Sequence, residues 1–75
     1  MTADRHLLVV AHTGRAESLA AAVRAVHHIR DAGLVAVAAE DSVEELRAAA
    51  KVDDLRVLGR DVGVGELELV IVLGG

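Results

Sequence analysis

Two short segments of the chain carry residue types that bind phosphate groups. Thr13, Gly14 and Arg15 supply a hydroxyl, a permissive backbone and a guanidinium directly after an apolar run. A helix that begins at this loop would favour an anion through its free backbone N–H groups and its dipole. Gly74 and Gly75 follow a second apolar run and allow the tight turn and close backbone approach that a phosphate needs. We therefore predict a weak phosphate or nucleotide site made by these five residues. The open alternative is an ordinary strand-to-helix turn with a solvated arginine.

Other residues that could do chemistry fit structural roles better. His27 and His28 are adjacent, so on a helix they point about 100° apart and do not easily share one metal. None of the four histidines has the i, i+4 spacing or the companion ligands of a zinc site, and the chain has no cysteine. The sequence also lacks a GxxxxGK loop and a nucleophile–base pattern. We expect no metal site and no catalytic residue in these 75 residues.

The elements that must position the predicted site alternate between strands and helices. Unbroken apolar runs predict strands at residues 7–11, 34–39 and 69–73. Apolar residues at spacings of three and four predict a helix at 15–32, and Gly33 is the residue expected just past its end. These elements make a βαβαβ order.

The second helix and the segment after it are marked by weaker signals. Ser42 followed by Glu45 is the pattern of a capping box, so a helix should begin near Val43. Residues 52–58 fit a continued helix, a separate turn or a weak strand, and the sequence leaves these alternatives open. The glycines at 59, 63 and 65 then predict a flexible connection to the last strand.

The fold class predicted from this order is α/β, a Rossmann-like βαβαβ three-layer unit with a short parallel sheet. We expect residues 1–75 to form a single small domain, half of a doubly wound one, with strand order 2-1-3 and a helix on each face. That order leaves the last strand at an edge, although its apolar run is typical of a strand covered on both faces. We therefore predict a homodimer through the last strand, or else coverage by the remainder of a parent domain.

Composition narrows the possible partners. Eight basic against twelve acidic residues give a formal charge of −4, which argues against a nucleic-acid or anionic-membrane surface. No run approaches 18 apolar residues and no signal-peptide pattern precedes the first strand, so we expect a soluble cytoplasmic protein. The chain uses only thirteen residue types and has no aromatic residue and no proline. A designed, reduced-alphabet structural unit without a ligand is therefore an alternative to a natural nucleotide-binding chain.

The ends of the chain resemble a known family. HLLVVAHTGR, residues 6–15, resembles the first strand and loop of bacterial NAD kinases, and LVIVLGG, residues 69–75, resembles the strand that leads into their Gly-Gly-Asp-Gly-Thr signature. Gly74 and Gly75 match the first two positions of that signature, whereas its Asp, Gly and Thr have no counterpart in these 75 residues.

The resemblance implies an N-terminal nucleotide-binding region truncated within the signature. It also implies ATP, NAD and magnesium as the ligands of the parent reaction, which transfers the ATP γ-phosphate to NAD and gives NADP. Catalysis in that family depends on the signature Asp. The resemblance therefore implies that this chain by itself requires no cofactor, is inactive, and has at most weak affinity for a nucleotide or phosphate.

Overall fold

The computed structural model describes residues 5–11 and 16–73. Its elements follow one another as strands and helices with one short 3₁₀ turn. They are β1 (His6–Ala11), α1 (Ala16–Asp31), β2 (Val35–Ala38), α2 (Val43–Ala50), β3 (Arg56–Val57), the 3₁₀ turn Val64–Glu66, and β4 (Leu67–Leu73). Within these residues, neither helix has the length and apolar character needed to cross a lipid bilayer.

The four strands form one parallel sheet in the order β3-β2-β1-β4. The predicted α/β class with a parallel sheet is thus confirmed. The predicted strand order, 2-1-3, is not the observed one, because the sheet contains a fourth strand. The three predicted strands do lie in the expected relative positions, with β1 between β2 and β4. The additional strand, β3, is only two residues long and pairs with β2 at the far edge.

Both helices pack on the same face of the sheet, which differs from the predicted arrangement with a helix on each face. Side chains of α1 and α2, among them Val26 and Leu46, share one core with Val9 of β1 and Val57 of β3. The reason is the position of β3. The two crossovers, β1 to β2 and β2 to β3, move in the same direction across the sheet, and right-handed connections in one direction place their helices on one face.

The connection between β3 and β4 covers part of the opposite face. Leu8 and Val37 point to this face and are buried against Val62. The loop that carries Val62 is tightly closed: Gly59 adopts a φ of 87° and donates its N–H to the Val62 carbonyl at 2.7 Å. A side chain would strain this left-handed backbone, which explains the glycine. The segment left open by the sequence is therefore β3 followed by a compact loop.

The predicted glycine end of α1 is confirmed, whereas the predicted capping box of α2 is not. Gly33 has a φ of 79°, and the N–H of Leu34 donates to the carbonyl of Ile29 at 3.0 Å, which is the glycine-terminated helix end that the sequence predicted. α2 begins at Val43 as expected. The predicted capping box is absent, because the Ser42 hydroxyl donates to the Ala39 carbonyl at 3.3 Å instead of capping the helix.

β4 lies at a sheet edge, as predicted, and its apolar run is only partly buried. Its inner side pairs with β1 along the strand, and Ile71 and Leu73 contact the core beneath the helices. On the other face, Val70 is 48% and Val72 is 71% exposed. The apolar run of β4 is therefore not covered on both faces within the described residues.

An ion pair joins the start of β4 to the start of β1. The guanidinium of Arg5 donates hydrogen bonds to the carboxylate of Glu68, and this hydrogen bonding lowers the pKa of the glutamate below its ordinary value. A lowered folded-state pKa stabilises the fold above the unfolded pKa, and the contribution is lost as the pH falls through the lowered value. Both side chains are exposed, so water and salt weaken the pair.

Candidate functional site

The strand order defines where a ligand site is expected. In open α/β sheets, ligands bind beyond the carboxyl ends of the strands, where neighbouring strands connect to opposite sides. Here β1 leads through α1 to β2 on one side, whereas β4 lies on the other side of β1 and is reached by the connection that covers the second face. The order β3-β2-β1-β4 is also the first part of the Rossmann order 3-2-1-4-5-6, whose switch point lies between strands 1 and 4.

The carboxyl ends of β1 and β4 lie side by side. Ala11, the last residue of β1, is the register partner of Leu73, the last residue of β4. The five residues predicted to bind phosphate follow directly on these two strand ends in the sequence: Thr13, Gly14, Arg15, Gly74 and Gly75. All five lie outside the described residues, so the structure gives no geometry for them. It does show that the strands leading to both segments end at the same point of the sheet.

A cavity of about 320 Å³ opens at this same edge, next to the end of β1. Its walls are Val10 and Ala11 of β1 and three residues between β2 and α2, namely Ala39, Asp41 and Ser42. Its size is at the lower end of the range for small-molecule sites. The walls combine apolar side chains with one carboxylate and one hydroxyl, which suits a ligand that has both an apolar and a hydroxyl-bearing part.

The two acidic residues after β2 have different surroundings. Glu40 forms an ion pair with Arg60 across the sheet edge, with 2.9 Å between the guanidinium and the carboxylate. Asp41 lines the cavity and has no ion pair or hydrogen bond to another side chain within residues 5–11 and 16–73. The sequence analysis assigned no role to Asp41, which lies just before α2. The signal that could have identified it is an acid directly after the second strand of a Rossmann-like order.

A second cavity, of about 360 Å³, lies at the opposite edge of the sheet, near the start of β2. Arg30 and Asp54 form an ion pair at its rim, with 3.2 Å between the Arg30 Nε and the Asp54 carboxylate. Although it is slightly larger, it lies at the amino ends of the parallel strands, where ligand sites of this architecture are not expected. We therefore place the candidate site at the carboxyl edge.

The described residues do not supply a ligand set for a metal ion. Across residues 5–11 and 16–73, no three side chains of His, Asp or Glu converge on one point. A divalent cation prefers several oxygen ligands from carboxylates, carbonyls or phosphates. No metal-dependent step is therefore assigned to this part of the chain.

Comparison with known proteins supports the resemblance seen in the sequence. The whole chain aligns over 76 positions, with 49% identity, to the N-terminal region of an NAD kinase from Leifsonia xyli subsp. xyli (strain CTCB07). The aligned region is 25% of that protein, so the chain spans about a quarter of its relative's length. No protein-family model matches the chain. No solved structure matches it either.

Proposed function

We propose that this chain is the N-terminal nucleotide-binding part of an NAD kinase, acting in the cytoplasm, and that the carboxyl edge of β1 and β4 receives the phosphates of NAD or ATP. The observation that supports the proposal is the pairing of Ala11 with Leu73, because the two strands that precede the predicted phosphate segments end side by side. The similarity of the chain to a quarter of an NAD kinase supports the choice of nucleotide.

Within this proposal each predicted residue has a distinct role. The Arg15 guanidinium pairs with a phosphate, and the Thr13 hydroxyl donates a hydrogen bond to it. Gly14, Gly74 and Gly75 allow the backbone N–H groups to approach the phosphate oxygens closely. None of these groups transfers a proton or attacks phosphorus, so the site binds without catalysing.

Phosphoryl transfer needs groups that these 75 residues do not provide. The Asp of the Gly-Gly-Asp-Gly-Thr signature has no counterpart after Gly75 in the given sequence. The described residues also offer no converging ligands for magnesium. We therefore propose that the 75-residue chain alone is inactive. The transfer of the ATP γ-phosphate to NAD is proposed only for a polypeptide that combines this region with the rest of the signature.

Equilibrium dialysis tests the binding proposal directly. The chain has no aromatic residue, so the ultraviolet absorbance of NAD or ATP can be read without a protein background. The parent chain should bind saturably, and Arg15→Ala should weaken binding about tenfold, as expected for a lost charge-assisted hydrogen bond. Arg24→Ala is the matched control, because Arg24 is an exposed arginine in the middle of α1. Equal binding by parent and Arg15→Ala would contradict the assigned role.

An activity assay tests the second part of the proposal. With magnesium, ATP and NAD present, the 75-residue chain should form no NADP above the background without protein. Steady formation of NADP that scales with chain concentration would refute the proposed inactivity.

A second candidate function is a structural unit that associates with itself through β4. The observation that favours it is the exposed apolar surface of this edge strand, with Val72 71% and Leu69 55% exposed. The restricted set of thirteen residue types is compatible with a designed chain of this kind. In this alternative the chain has no ligand, and the homodimer forms by pairing of two copies of β4.

A further inference from the structure

The larger cavity, at the amino edge of the sheet, has no part in the proposed function. It lies between the end of α1, the start of β2 and the segment that leads into β3. Its volume of about 360 Å³ falls in the range of roughly 300–1,000 Å³ that small-molecule sites occupy. Asp31, Ala36, Asp54 and Arg56 are among the residues that line this amino-edge cavity. It is therefore a separate candidate for a second, smaller ligand.

The amino-edge cavity is a gap between two unpaired backbone segments. The ladder between β2 and β3 begins at Val37 and Arg56. Residues 35–36 and 54–55 come before this point and do not pair with each other, and both segments line the cavity. The walls therefore include main-chain groups that a longer ladder would have joined by hydrogen bonds.

One of these main-chain groups is a buried donor that faces the gap. The N–H of Val35 donates to the Arg5 carbonyl on the β1 side at 2.8 Å. Backbone groups of successive strand residues point to opposite sides, so the N–H of Ala36 points to the β3 side. Its ladder acceptor there would be the Asp54 carbonyl, but that bond is absent, and residues 5–11 and 16–73 supply no other acceptor. Ala36 is 3% exposed, and a buried N–H without an acceptor is unfavourable, so an acceptor atom placed in the cavity would bind favourably.

The charged side chains of the cavity suit a ligand with two opposite charges. Arg30 and Asp54 form an ion pair at the rim, so their charges largely cancel. Arg56 and Asp31 also line the cavity, and neither has an ion pair within the described part of the chain. Asp31 is the last residue of α1, where the helix dipole also favours a cation. The Ala36 N–H and the Arg56 guanidinium, by contrast, both favour an anion.

We propose that the amino-edge cavity binds a small zwitterion of the amino acid type, with its carboxylate at Ala36 and Arg56 and its ammonium group at Asp31. The carboxylate has two oxygens, so one accepts the Ala36 N–H while the other pairs with the Arg56 guanidinium. The ammonium group donates to the Asp31 carboxylate at the end of α1. This site goes beyond the proposed function, because it lies at the opposite edge of the sheet from the proposed nucleotide site.

Titration of the ¹⁵N-labelled chain with glycine, β-alanine and 4-aminobutyrate tests the inference, because these zwitterions separate their charges by increasing lengths. At least one should shift the Ala36 amide saturably, with a Kd of about 1 mM, as expected for a few charge-assisted hydrogen bonds. Butyrate and butylamine, which each carry one charge, should bind about tenfold more weakly. Arg56→Gln and Asp31→Asn should each weaken zwitterion binding about tenfold. Arg24→Gln and Glu17→Gln change exposed residues of α1 that do not line the cavity, and both should keep the parent affinity.

Two outcomes would overturn the inference and leave the nucleotide proposal in place. The first is that no zwitterion shifts the Ala36 amide more strongly than butyrate or butylamine does at the same concentration. The second is a saturable shift that both Arg56→Gln and Asp31→Asn leave unchanged, in chains that circular dichroism shows to be folded. Both side chains are exposed, so neither replacement should unfold the chain. NAD binding at the carboxyl edge should be the same in both variants, which separates a failure of this site from a failure of the proposed function.

Discussion

Small aliphatic side chains make up the centre of the core. Val9, Val26 and Val37 are the largest side chains that are completely buried, and the chain has no aromatic residue. Aromatic side chains usually contribute the largest buried areas. In this chain, the burial of aliphatic side chains must supply the hydrophobic part of the free energy of folding instead. A domain of 75 residues is stable by roughly 4–11 kcal/mol in total, at the usual free energy per residue.

Val26→Ala should therefore cost a large part of the free energy of unfolding. Val26 is 0% exposed on α1, and removing two methyl groups costs about 2–3 kcal/mol from lost burial and the cavity left behind. Urea denaturation followed by circular dichroism measures the change. Val64→Ala is the control: Val64 is 74% exposed in the 3₁₀ turn, and its replacement should stay within about 0.5 kcal/mol of the parent. A loss for Val26→Ala no larger than for the control would contradict this packing.

At the scale of the elements, the two-residue strand β3 determines how the layers are arranged. Arg56 and Val57 pair with Val37 and Ala38 of β2, and this pairing places β3 beyond β2. α2 must then cross in the same direction as α1 and pack on the same face. Neither helix packs on the second face, and only the connection between β3 and β4 covers it. This cover is partial, because Val10 is 39% and Val70 is 48% exposed on that face.

The elements also show which features the sequence could predict. α1, with Gly33 after it, and the main strands were predictable because their apolar patterns extend over several residues. β3 could not be predicted, because a segment of two residues is too short to show a hydrophobic pattern. It forms a strand only through its pairing with β2. The edge position of β4 was predicted, but what covers its apolar run was not. An unbroken apolar run shows that both sides of a strand tolerate burial, but it cannot show which neighbour covers them.

The proposed association through β4 concerns this edge strand and can be tested there. If two copies pair through β4, the parent should be a dimer, and Val72→Lys should shift it to a monomer by placing a charge in the apolar contact. Light scattering with refractive-index detection gives the molar mass without needing absorbance. Val64→Lys, at an equally exposed valine outside the strand, should leave the dimer unchanged. A parent that is already monomeric at high concentration contradicts association through this strand.

At the scale of the whole molecule, the described residues form one compact α/β unit. Its radius of gyration of 11.3 Å is close to the roughly 11 Å expected for a compact domain of 75 residues. The order β3-β2-β1-β4 matches the start of the Rossmann order, and the chain aligns with a quarter of an NAD kinase. The proposed place of the site follows from the strand order, since both glycine-containing segments come directly after neighbouring strand ends in the sequence. The sequence did not distinguish Asp41 from Glu40, because only the folded loops show that Glu40 pairs with Arg60 whereas Asp41 lines a cavity.

The measurement that tests the central claim most directly is a map of amide chemical shifts in the ¹⁵N-labelled chain as NAD is added. Binding at the carboxyl edge should produce the largest changes at Ala11, Leu73 and residues 39–42, at the ends of β1, β4 and β2. Leu34 and Arg56, which line the cavity at the opposite edge, should change little. If the largest changes fall on Leu34 and Arg56, or if no amide shifts at saturating NAD, the assignment of a nucleotide site to the carboxyl edge is wrong.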